Sequence, residues 1–177
     1  PDNSTFKIKG NQEFKATKLF CEGDWSNSAF LEAFNLIGGS VVLDGLKETS
    51  TQGDKIYREY FEKLKQGTPV LDITDCPDLA PILMTMATLL NGAVLEGTSR
   101  LKIKESDRGE VMKNELSKFS ADITVLEDEI IIKKADLKTP TENICGNNDR
   151  RIAMSLAVIG SVFGGVIESA ECVNTGC

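Results

Sequence analysis

The chain has 177 residues, of which 41% are hydrophobic and 27% charged, and its 27 acidic and 20 basic side chains give a net charge of −7. A chain of this length can bury a sizeable core, whereas its acidity argues against a general nucleic-acid binder or an anionic-membrane binder, because both need an excess of Lys and Arg. The sequence contains no histidine, which excludes Ser-His-Asp and Cys-His nucleophilic sites and any His-containing zinc site.

Targeting signals and membrane spans are absent from the sequence. No apolar run approaches the roughly 20 residues needed to cross a bilayer, and no signal-peptide pattern is present. The first residue is Pro1 rather than Met, which suggests an excised piece of a longer protein. We therefore expect a cytoplasmic protein with no membrane partner and no nucleic-acid partner.

The cysteines are scattered, odd in number and never arranged as a CxxC pair. This pattern fits free thiols in a reducing cytosol better than a disulfide framework, and we expect most of them to be small core residues. They are Cys21, Cys76, Cys145, Cys172 and Cys177.

The first part of the chain predicts one strand, a linker and two helices. Phe6 belongs to a weak alternation over the first dozen residues, which predicts the strand and the linker. Asp24 then precedes an apolar-faced helix that ends at a Gly-Gly pair, and residues 40–43 have the composition of a short strand. A more polar helix is predicted over residues 55–66, with one apolar stripe and Gly67 as its stop.

The pattern of the first helix recurs twice. Asp78 and Asp149 each precede an apolar helix that ends at a glycine (Gly92 and Gly165) and is followed by strand-like residues. In all three places the glycine lies 14 to 16 residues beyond the aspartate. Such regular spacing predicts three copies of one helix-and-strand unit around a common core, in an α/β or α+β fold.

Residues 100–108 form the densest polar cluster of the chain. An extended run is predicted over residues 101–104, so that Arg100, Lys102 and Lys104 share one face while the apolar residues between them face the core. On composition alone, such a charge run is more often an ordinary solvated edge.

A helix is predicted directly after this cluster, over residues 108–119. Asp107 and Glu110 have the spacing of a capping box at its start. Arg108 then lies in the first turn, where backbone N–H groups and the helix dipole favour an anion. Its guanidinium can hold a phosphate or a carboxylate through two parallel hydrogen bonds.

A hairpin is predicted beyond this helix. Residues 123–126 and 130–132 are strand-like, and the acidic residues 127–129 between them form the turn. A hairpin beside the repeated helices fits a mixed architecture of helices and strands.

Two helix starts hold further candidate residues. Asp78 lies in the string Cys-Pro-Asp-Leu-Ala-Pro, where local sequence favours a helix cap. Arg150 and Arg151 lie at the mouth of an otherwise apolar helix, which is either an ordinary surface feature or an anion site. The strings Gly-Asp-Trp-Ser (23–26) and Gln-Gly-Asp (52–54) are interpreted as helix-entry turns, and no chemistry is assigned to them.

Five strings occur along the chain in one order. They are Glu-Gly-Asp-Trp-Ser (22–26), Gln-Gly-Asp (52–54), Cys-Pro-Asp-Leu-Ala-Pro (76–81), Arg-Leu-Lys-Ile-Lys-Glu-Ser-Asp-Arg (100–108) and Asn-Asp-Arg-Arg-Ile-Ala-Met (148–154). Their series resembles the carboxy-terminal half of the 5-enolpyruvylshikimate-3-phosphate synthase family, and Lys-Glu-Ser-Asp-Arg is the most specific piece. The resemblance covers about residues 20–173. It implies that residues 1–20 are the end of a preceding domain with the hinge, and that residues 21–177 are a carboxy-terminal domain truncated at its end.

The resemblance implies a fold of two similar domains, each built from three βαβαββ units, that close on substrates between them. It also implies transfer of the enolpyruvyl (carboxyvinyl) group from phosphoenolpyruvate to the 5-hydroxyl of shikimate-3-phosphate, in the shikimate pathway of aromatic amino-acid biosynthesis. No metal or organic cofactor is implied. The implied partners are the two substrates and the missing amino-terminal domain, and the full-length enzyme is expected to be monomeric.

Matching the motifs residue by residue implies roles for five side chains. Asp78 is expected to accept a proton and to bind a hydroxyl of the shikimate ring, and Glu105 is expected to donate a proton to carbon. Lys104 is expected to bind shikimate-3-phosphate, while Arg108 and Arg151 hold phosphoenolpyruvate.

Two departures from the family pattern affect these expectations. The family usually has Asp-His-Arg where this chain has Asp149-Arg150-Arg151, so a ring that can be neutral is replaced by a permanent cation. The chain also stops before the family's catalytic lysine and lacks the amino-terminal half. We therefore expect the 177-residue chain alone to be catalytically inactive.

Two alternatives stay open. A sibling carboxyvinyl transferase that acts on UDP-N-acetylglucosamine shares the repeated unit and the donor, although Lys-Glu-Ser-Asp-Arg and Asp-Arg-Arg-Ile-Ala-Met favour the shikimate enzymes. A non-catalytic domain that binds a phosphorylated metabolite would use the cations Lys104, Arg108 and Arg151 without needing an acid.

Overall fold

Helices and strands alternate along the chain, in a computed structural model that describes residues 5–174. The helices are α1 (Trp25–Leu36), α2 (Tyr57–Gln66), α3 (Ala80–Leu89), α4 (Arg108–Ser117) and α5 (Arg150–Phe163). The strands are β1 (Val70–Asp72), β2 (Ala93–Glu96), β3 (Asp122–Val125), β4 (Glu129–Lys133), β5 (Ile144–Cys145) and β6 (Ile167–Glu168). Short 3-10 helices occupy Gly53–Ile56, Pro77–Leu79, Ser99–Ile103 and Glu171–Asn174.

The three apolar helices α1, α3 and α5 pack against one another in the core. Asp24 and Asp149 cap α1 and α5, since each carboxylate accepts hydrogen bonds from backbone amides of the first turn. Helix α3 lies between its neighbours and is buried on all sides from Ala80 to Thr88. The predicted positions of these three helices are confirmed. No helix within residues 5–174 is both long enough and apolar enough to cross a membrane.

A four-stranded mixed sheet packs beneath α3 and α4, in the order β1-β2-β4-β3. Strands β1 and β2 are parallel, and β4 runs antiparallel to both β2 and β3. Leu71, Leu95 and Ile130 are paired across neighbouring strands and buried, so this face of the sheet is part of the core. The predicted hairpin is confirmed as β3 and β4.

The elements β1-α3-β2-α4-β3-β4 form one complete βαβαββ succession. Strands β5 and β6 pair in parallel on either side of α5 in the sequence, and they form a separate two-stranded sheet. The mixed α/β class is therefore confirmed. That the chain contains three copies of the unit stays a prediction.

Two predicted strands are not found in the described residues. Residues 5–20 are exposed and form neither helix nor strand, and residues 40–43 are also irregular. At the second place the side chain of Asn35 hydrogen-bonds both the N–H and the carbonyl of Val41. Apolar composition does not suffice for a strand, because a strand needs a neighbouring backbone with which to pair.

The extended run predicted over residues 101–104 is wrong, because the chain forms the 3-10 helix Ser99–Ile103 there. The backbone amide of Ser99 donates to the Asp128 carboxylate at 2.8 Å, and the amide of Leu101 donates to the Thr98 carbonyl at 2.9 Å. Leu101 is buried as expected, but Ile103 is 80% exposed, so the predicted alternation fails. A local hydrogen bond and one to Asp128, 29 residues away, therefore determine the conformation of this segment together.

The cysteines are less buried than the sequence predicts. Cys76 is buried, whereas Cys21 is exposed and Cys145 and Cys172 are half-buried, so the expectation that most of them fill the core is wrong for the described part of the chain. Cys21, Cys76 and Cys145 are free thiols, as predicted. Cys177 lies outside the described residues.

Gly92 and Gly160 give opposite expectations for the same substitution. Gly92 joins α3 to β2 at a φ of +81°, and an added Cβ would lie 2.5 Å from the Ile132 carbonyl oxygen. Gly92→Ala should therefore lower the free energy of unfolding by about 2 kcal/mol or more. Gly160 lies inside α5 with no other heavy atom near its missing Cβ, so Gly160→Ala should raise the free energy of unfolding by about 0.5–1 kcal/mol. Urea denaturation measures both changes, and a shared sign would contradict this reading of the two positions.

Candidate functional site

The five residues that the sequence motifs single out form one connected ion-pair cluster. Asp78 lies at its centre: Oδ1 is 3.1 Å from Lys104 Nζ and 2.7 Å from Arg108 Nη1, and Oδ2 is 3.0 Å from Arg151 Nη2. Glu105 completes the cluster through a 2.6 Å contact between its Oε2 and Arg108 Nη2. Segments that are far apart in the sequence are thus brought together at the helix starts.

Asp78 does not cap a helix, so the interpretation from local sequence is wrong. Cys76 is the N-cap residue of the 3-10 helix Pro77–Leu79, and Leu79 is the N-cap residue of α3. No side chain caps the start of either helix. The carboxylate points to the three cations instead. Burial works against its ionisation, but these cations outweigh burial and hold the pKa of the Asp78 carboxyl below its usual range.

Arg108 is the most enclosed charge of the cluster, since only 2% of its side chain is exposed. Besides Asp78 and Glu105, it binds Asp149, whose Oδ2 accepts from Arg108 Nε at 2.8 Å. Burial would lower the pKa of this guanidinium, but the surrounding carboxylates raise it. A guanidinium can be buried at tolerable free-energy cost only when carboxylates meet its donors in this way.

Asp149 joins two parts of the cluster, and the sequence assigned it only a position at a helix start. Its Oδ1 caps α5 by accepting from the backbone amide of Arg151 at 3.0 Å. Its Oδ2 accepts from Arg108 and, at 3.2 Å, from the hydroxyl of Ser106. A single buried carboxylate therefore fixes both the start of α5 and the orientation of the Arg108 guanidinium.

Arg151 is held from two sides. Its Nη2 contacts Asp78, and its Nη1 donates a buried hydrogen bond to the hydroxyl of Ser26, at the start of α1. Within residues 5–174 these are the polar partners of its guanidinium, which carries five N–H donors. Arg151 therefore keeps donors for a ligand, whereas those of Arg108 are directed at carboxylates.

Lys104 and Glu105 form the accessible side of the cluster, with 25% and 63% of their side chains exposed. Counting Asp149, three carboxylates face three cations, so the cluster is locally neutral. An anionic ligand at Arg108 must consequently take the place of one of the carboxylates that already bind it.

Asp54, in the Gln-Gly-Asp string, is a further carboxyl near the cluster that the sequence did not identify. Burial raises the pKa of Asp54 to about 6, and the neighbouring Asp78 carboxylate adds to the shift while Arg151 opposes it. No described residue donates a hydrogen bond to its carboxylate. Its charge therefore changes near neutral pH, next to the ion pairs of the site.

Arg150, the neighbour of Arg151 in the sequence, lies beside this cluster. With Glu105, Asn148 and Cys172 it lines a cavity of about 170 Å³. A larger cavity of about 550 Å³ lies at the carboxyl ends of β1 and β2. That cavity is lined by several carboxylates, including Asp72, and therefore does not suit an anionic ligand. No group of three or more acidic or cysteine residues in the described chain is arranged to hold a metal ion.

Comparisons with known proteins agree on one family. The family model of EPSP synthase (3-phosphoshikimate 1-carboxyvinyltransferase) matches residues 58–177. A 3-phosphoshikimate 1-carboxyvinyltransferase of Brachyspira hyodysenteriae is 36% identical over 98% of this chain and 46% of its own length. Its counterpart in Clostridium acetobutylicum is also 36% identical, over 96% of this chain and 44% of its own length.

A solved structure of EPSP synthase from Acinetobacter baumannii has the same fold, with a TM-score of 0.73 at 24% identity. The superposition covers 87% of this chain and 43% of that one. The chain thus spans less than half the length of the relatives it matches.

Asp24 and Asp149 both cap helices, but only Asp149 also pairs with the buried Arg108. Comparing alanine variants of the two therefore separates the contribution of the ion pair to stability from that of the cap. Asp24→Ala removes an exposed cap and should lower the free energy of unfolding by about 1 kcal/mol. Asp149→Ala also leaves the buried Arg108 short of a partner, and it should lower the free energy of unfolding by about 3–5 kcal/mol. Chemical denaturation of both variants gives the comparison. Equal losses would show that the pairing of Asp149 with Arg108 contributes nothing to stability.

Asp54→Asn tests the raised pKa through the pH dependence of stability. The pKa of the Asp54 carboxyl is about 6 in the folded protein and lower in the unfolded chain. Because the unfolded chain then loses this proton more easily, Asp54 should reduce stability as the pH rises between these two pKa values. The variant should therefore be more stable than the wild type at pH 7.5, by about 1 kcal/mol after allowance for solvent screening, and nearly equal to it near pH 4. Thermal melts across this range measure the effect. A constant difference at all pH values would contradict it.

Proposed function

The chain belongs to the EPSP synthase family, and we propose from this membership that it is the carboxy-terminal half of an enolpyruvyl transferase. The enzyme moves the enolpyruvyl group of phosphoenolpyruvate to the 5-hydroxyl of shikimate-3-phosphate, in the cytoplasm. Residues 21–177 form the carboxy-terminal domain, and residues 1–20 are the end of the preceding domain with the hinge. The observation that carries the proposal is the convergence of Asp78, Glu105 and three cations in one partly exposed cluster.

The cations provide the binding part of the proposed site. Both substrates are anions, and Arg151 and Lys104 present donors beside Asp78. Arg108 can bind phosphoenolpyruvate only after a carboxylate leaves it. Glu105 is the carboxylate that can leave, because it is exposed, whereas Asp149 is buried and also bound to α5. In the proposed complex the substrate carboxylate therefore replaces Glu105 on Arg108.

The two acids then divide the proton transfers between them. Asp78, kept ionised by its cations, accepts the proton of the 5-hydroxyl as that oxygen bonds to the central carbon of phosphoenolpyruvate. Glu105, once displaced from Arg108, takes up a proton from solvent and gives it to the methylene carbon, which becomes a methyl group. Loss of phosphate from the resulting tetrahedral intermediate, together with return of a methyl proton to a base, restores the double bond. Lys104, Arg108 and Arg151 balance the negative charges throughout.

The exposure of Glu105 explains why a second domain is needed. A carboxylic acid that protonates carbon works in a site from which water is excluded, and 63% of this side chain faces solvent. In the proposed full-length enzyme, the amino-terminal half covers this face and supplies the remaining contacts to both anions. The family match also favours the shikimate acceptor over a nucleotide sugar.

Glu105→Gln in the full-length protein separates an enzyme from a binding domain. The substitution removes the proton but keeps the size of the side chain, so kcat should fall by about 10²- to 10⁴-fold while the Kd for shikimate-3-phosphate changes little. Phosphate release measures turnover, and calorimetry measures binding. Glu110→Gln is the matched control, because Glu110 is also a partly exposed glutamate near Arg108, but its carboxylate pairs with Lys113 instead; it should leave both quantities unchanged.

Three further results would each contradict a different part of the proposal. Turnover with UDP-N-acetylglucosamine and none with shikimate-3-phosphate would overturn the assigned acceptor. A full-length wild type that binds both substrates without turnover would make the protein a binding domain. Full activity of the 177-residue chain without its amino-terminal half would contradict the need for a closed, two-domain site.

A further inference from the structure

The Gly-Asp-Trp-Ser turn (23–26), to which no chemistry was assigned from the sequence, contacts the candidate site directly. Ser26 is 2% exposed, and its hydroxyl oxygen accepts the buried hydrogen bond from Arg151 Nη1. The same guanidinium contacts Asp78 through Nη2. Ser26 and Asp78 together therefore fix the plane of the Arg151 guanidinium, which determines where its remaining donors point.

The position of Ser26 is itself fixed by a second turn. The side chain of Gln52 accepts a 3.0 Å hydrogen bond from the backbone amide of Trp25 and donates one of 3.0 Å to the carbonyl of Gly23. It also donates to the carboxylate of Glu22 at 3.0 Å. One glutamine side chain thus holds the backbone on the amino-terminal side of Ser26 at two points and the Glu22 side chain at a third.

The second turn has little room to move. A Cβ at Gly53 would lie 3.0 Å from the carbonyl oxygen of Asp75, so this turn packs closely against the segment that leads to Asp78. The amide of Ser26 is meanwhile held by the carboxylate of Asp24 at 2.9 Å. The hydroxyl that meets Arg151 is therefore part of a hydrogen-bonded corner, formed by residues 22–26 and 50–54, that also contacts the Asp75 backbone.

We propose that Ser26 is a positioning residue that holds Arg151 in the orientation required to bind phosphoenolpyruvate. This inference rests on the proposed function, because it concerns the same anion site. In this proposal Ser26 acts through Arg151 and not by contact with the substrate. It acts by accepting one hydrogen bond, so that Arg151 meets the substrate anion without first losing rotational freedom.

Kinetics of Ser26→Ala in the full-length protein test the proposal. Loss of the acceptor should raise the KM for phosphoenolpyruvate about tenfold, the effect of losing one hydrogen bond to a charged group, and change kcat by less than about threefold. Ser28→Ala is the matched control. Ser28 is also buried in α1, but its hydroxyl donates to the Trp25 carbonyl at 2.7 Å and lies 3.3 Å from the Tyr57 hydroxyl, away from Arg151. The control should lose stability while its KM stays at the wild-type value.

Conservative variants keep the test decisive if Ser26→Ala fails to fold. Ser26→Thr retains the hydroxyl and should keep the wild-type KM, whereas Ser26→Cys offers a weaker acceptor and should raise it. Equal KM values for these two variants, or equal effects of Ser26→Ala and Ser28→Ala, would overturn the positioning role.

Direct binding separates this inference from the proposed function. Calorimetric titration of phosphoenolpyruvate into the wild type and Ser26→Ala should show the same roughly tenfold difference in Kd. A wild type that binds phosphoenolpyruvate but turns over no acceptor would overturn the enzymatic proposal alone, since the calorimetric difference would still support the role of Ser26. An unchanged Kd in an active enzyme would overturn the role of Ser26 alone.

Discussion

The fold and the site both depend on one buried cation. Arg108 is almost fully enclosed, and a guanidinium in that position is tolerated only because three carboxylates surround it. One carboxylate comes from the turn before α3, one from the segment before α4 and one from the residue before α5. These helix starts must therefore lie together, because only then do all three carboxylates accept hydrogen bonds from Arg108. The same requirement explains why the proposed substrate-binding residues converge although they are widely separated in the sequence.

Much of the site could be predicted from the order of motifs, but the hydrogen bonds that fix it could not. The motif series identified Asp78, Lys104, Glu105, Arg108 and Arg151, and the structure places all five in contact. Local sequence alone would have made Asp78 a helix cap, because proline before it and apolar residues after it are typical of a helix start. Its role depends on Arg151, 73 positions further along the chain. Ser26 was missed for the same reason, since a serine at the start of a helix gives no sign of a distant arginine.

The fold was predictable where local interactions determine it. Asp24 and Asp149 cap their helices through amides two or three residues away, and these helices occur where the sequence predicts them. Strands were less predictable, because they depend on partners. Residues 40–43 remain irregular because no strand pairs with them in the described chain, whereas the even shorter β1 forms because β2 lies beside it. The conformation of residues 99–103 depends on a hydrogen bond that the Ser99 amide donates to the Asp128 carboxylate, which the sequence of the segment itself does not encode.

The hydrogen bond between Ser26 and Arg151 joins residues 125 positions apart, nearly the two ends of the described chain. Closing so long a loop has a large entropic cost, which must be offset by the contacts made in between. A chain that has folded only α3, α4 and their sheet would possess Arg108 and Asp78 but no oriented Arg151. The contact that orients Arg151 therefore exists only when α1 and α5 have both docked, and a ligand that needs this arginine would bind only such molecules. Occupancy by such a ligand would then slow unfolding of the whole domain rather than of one local segment.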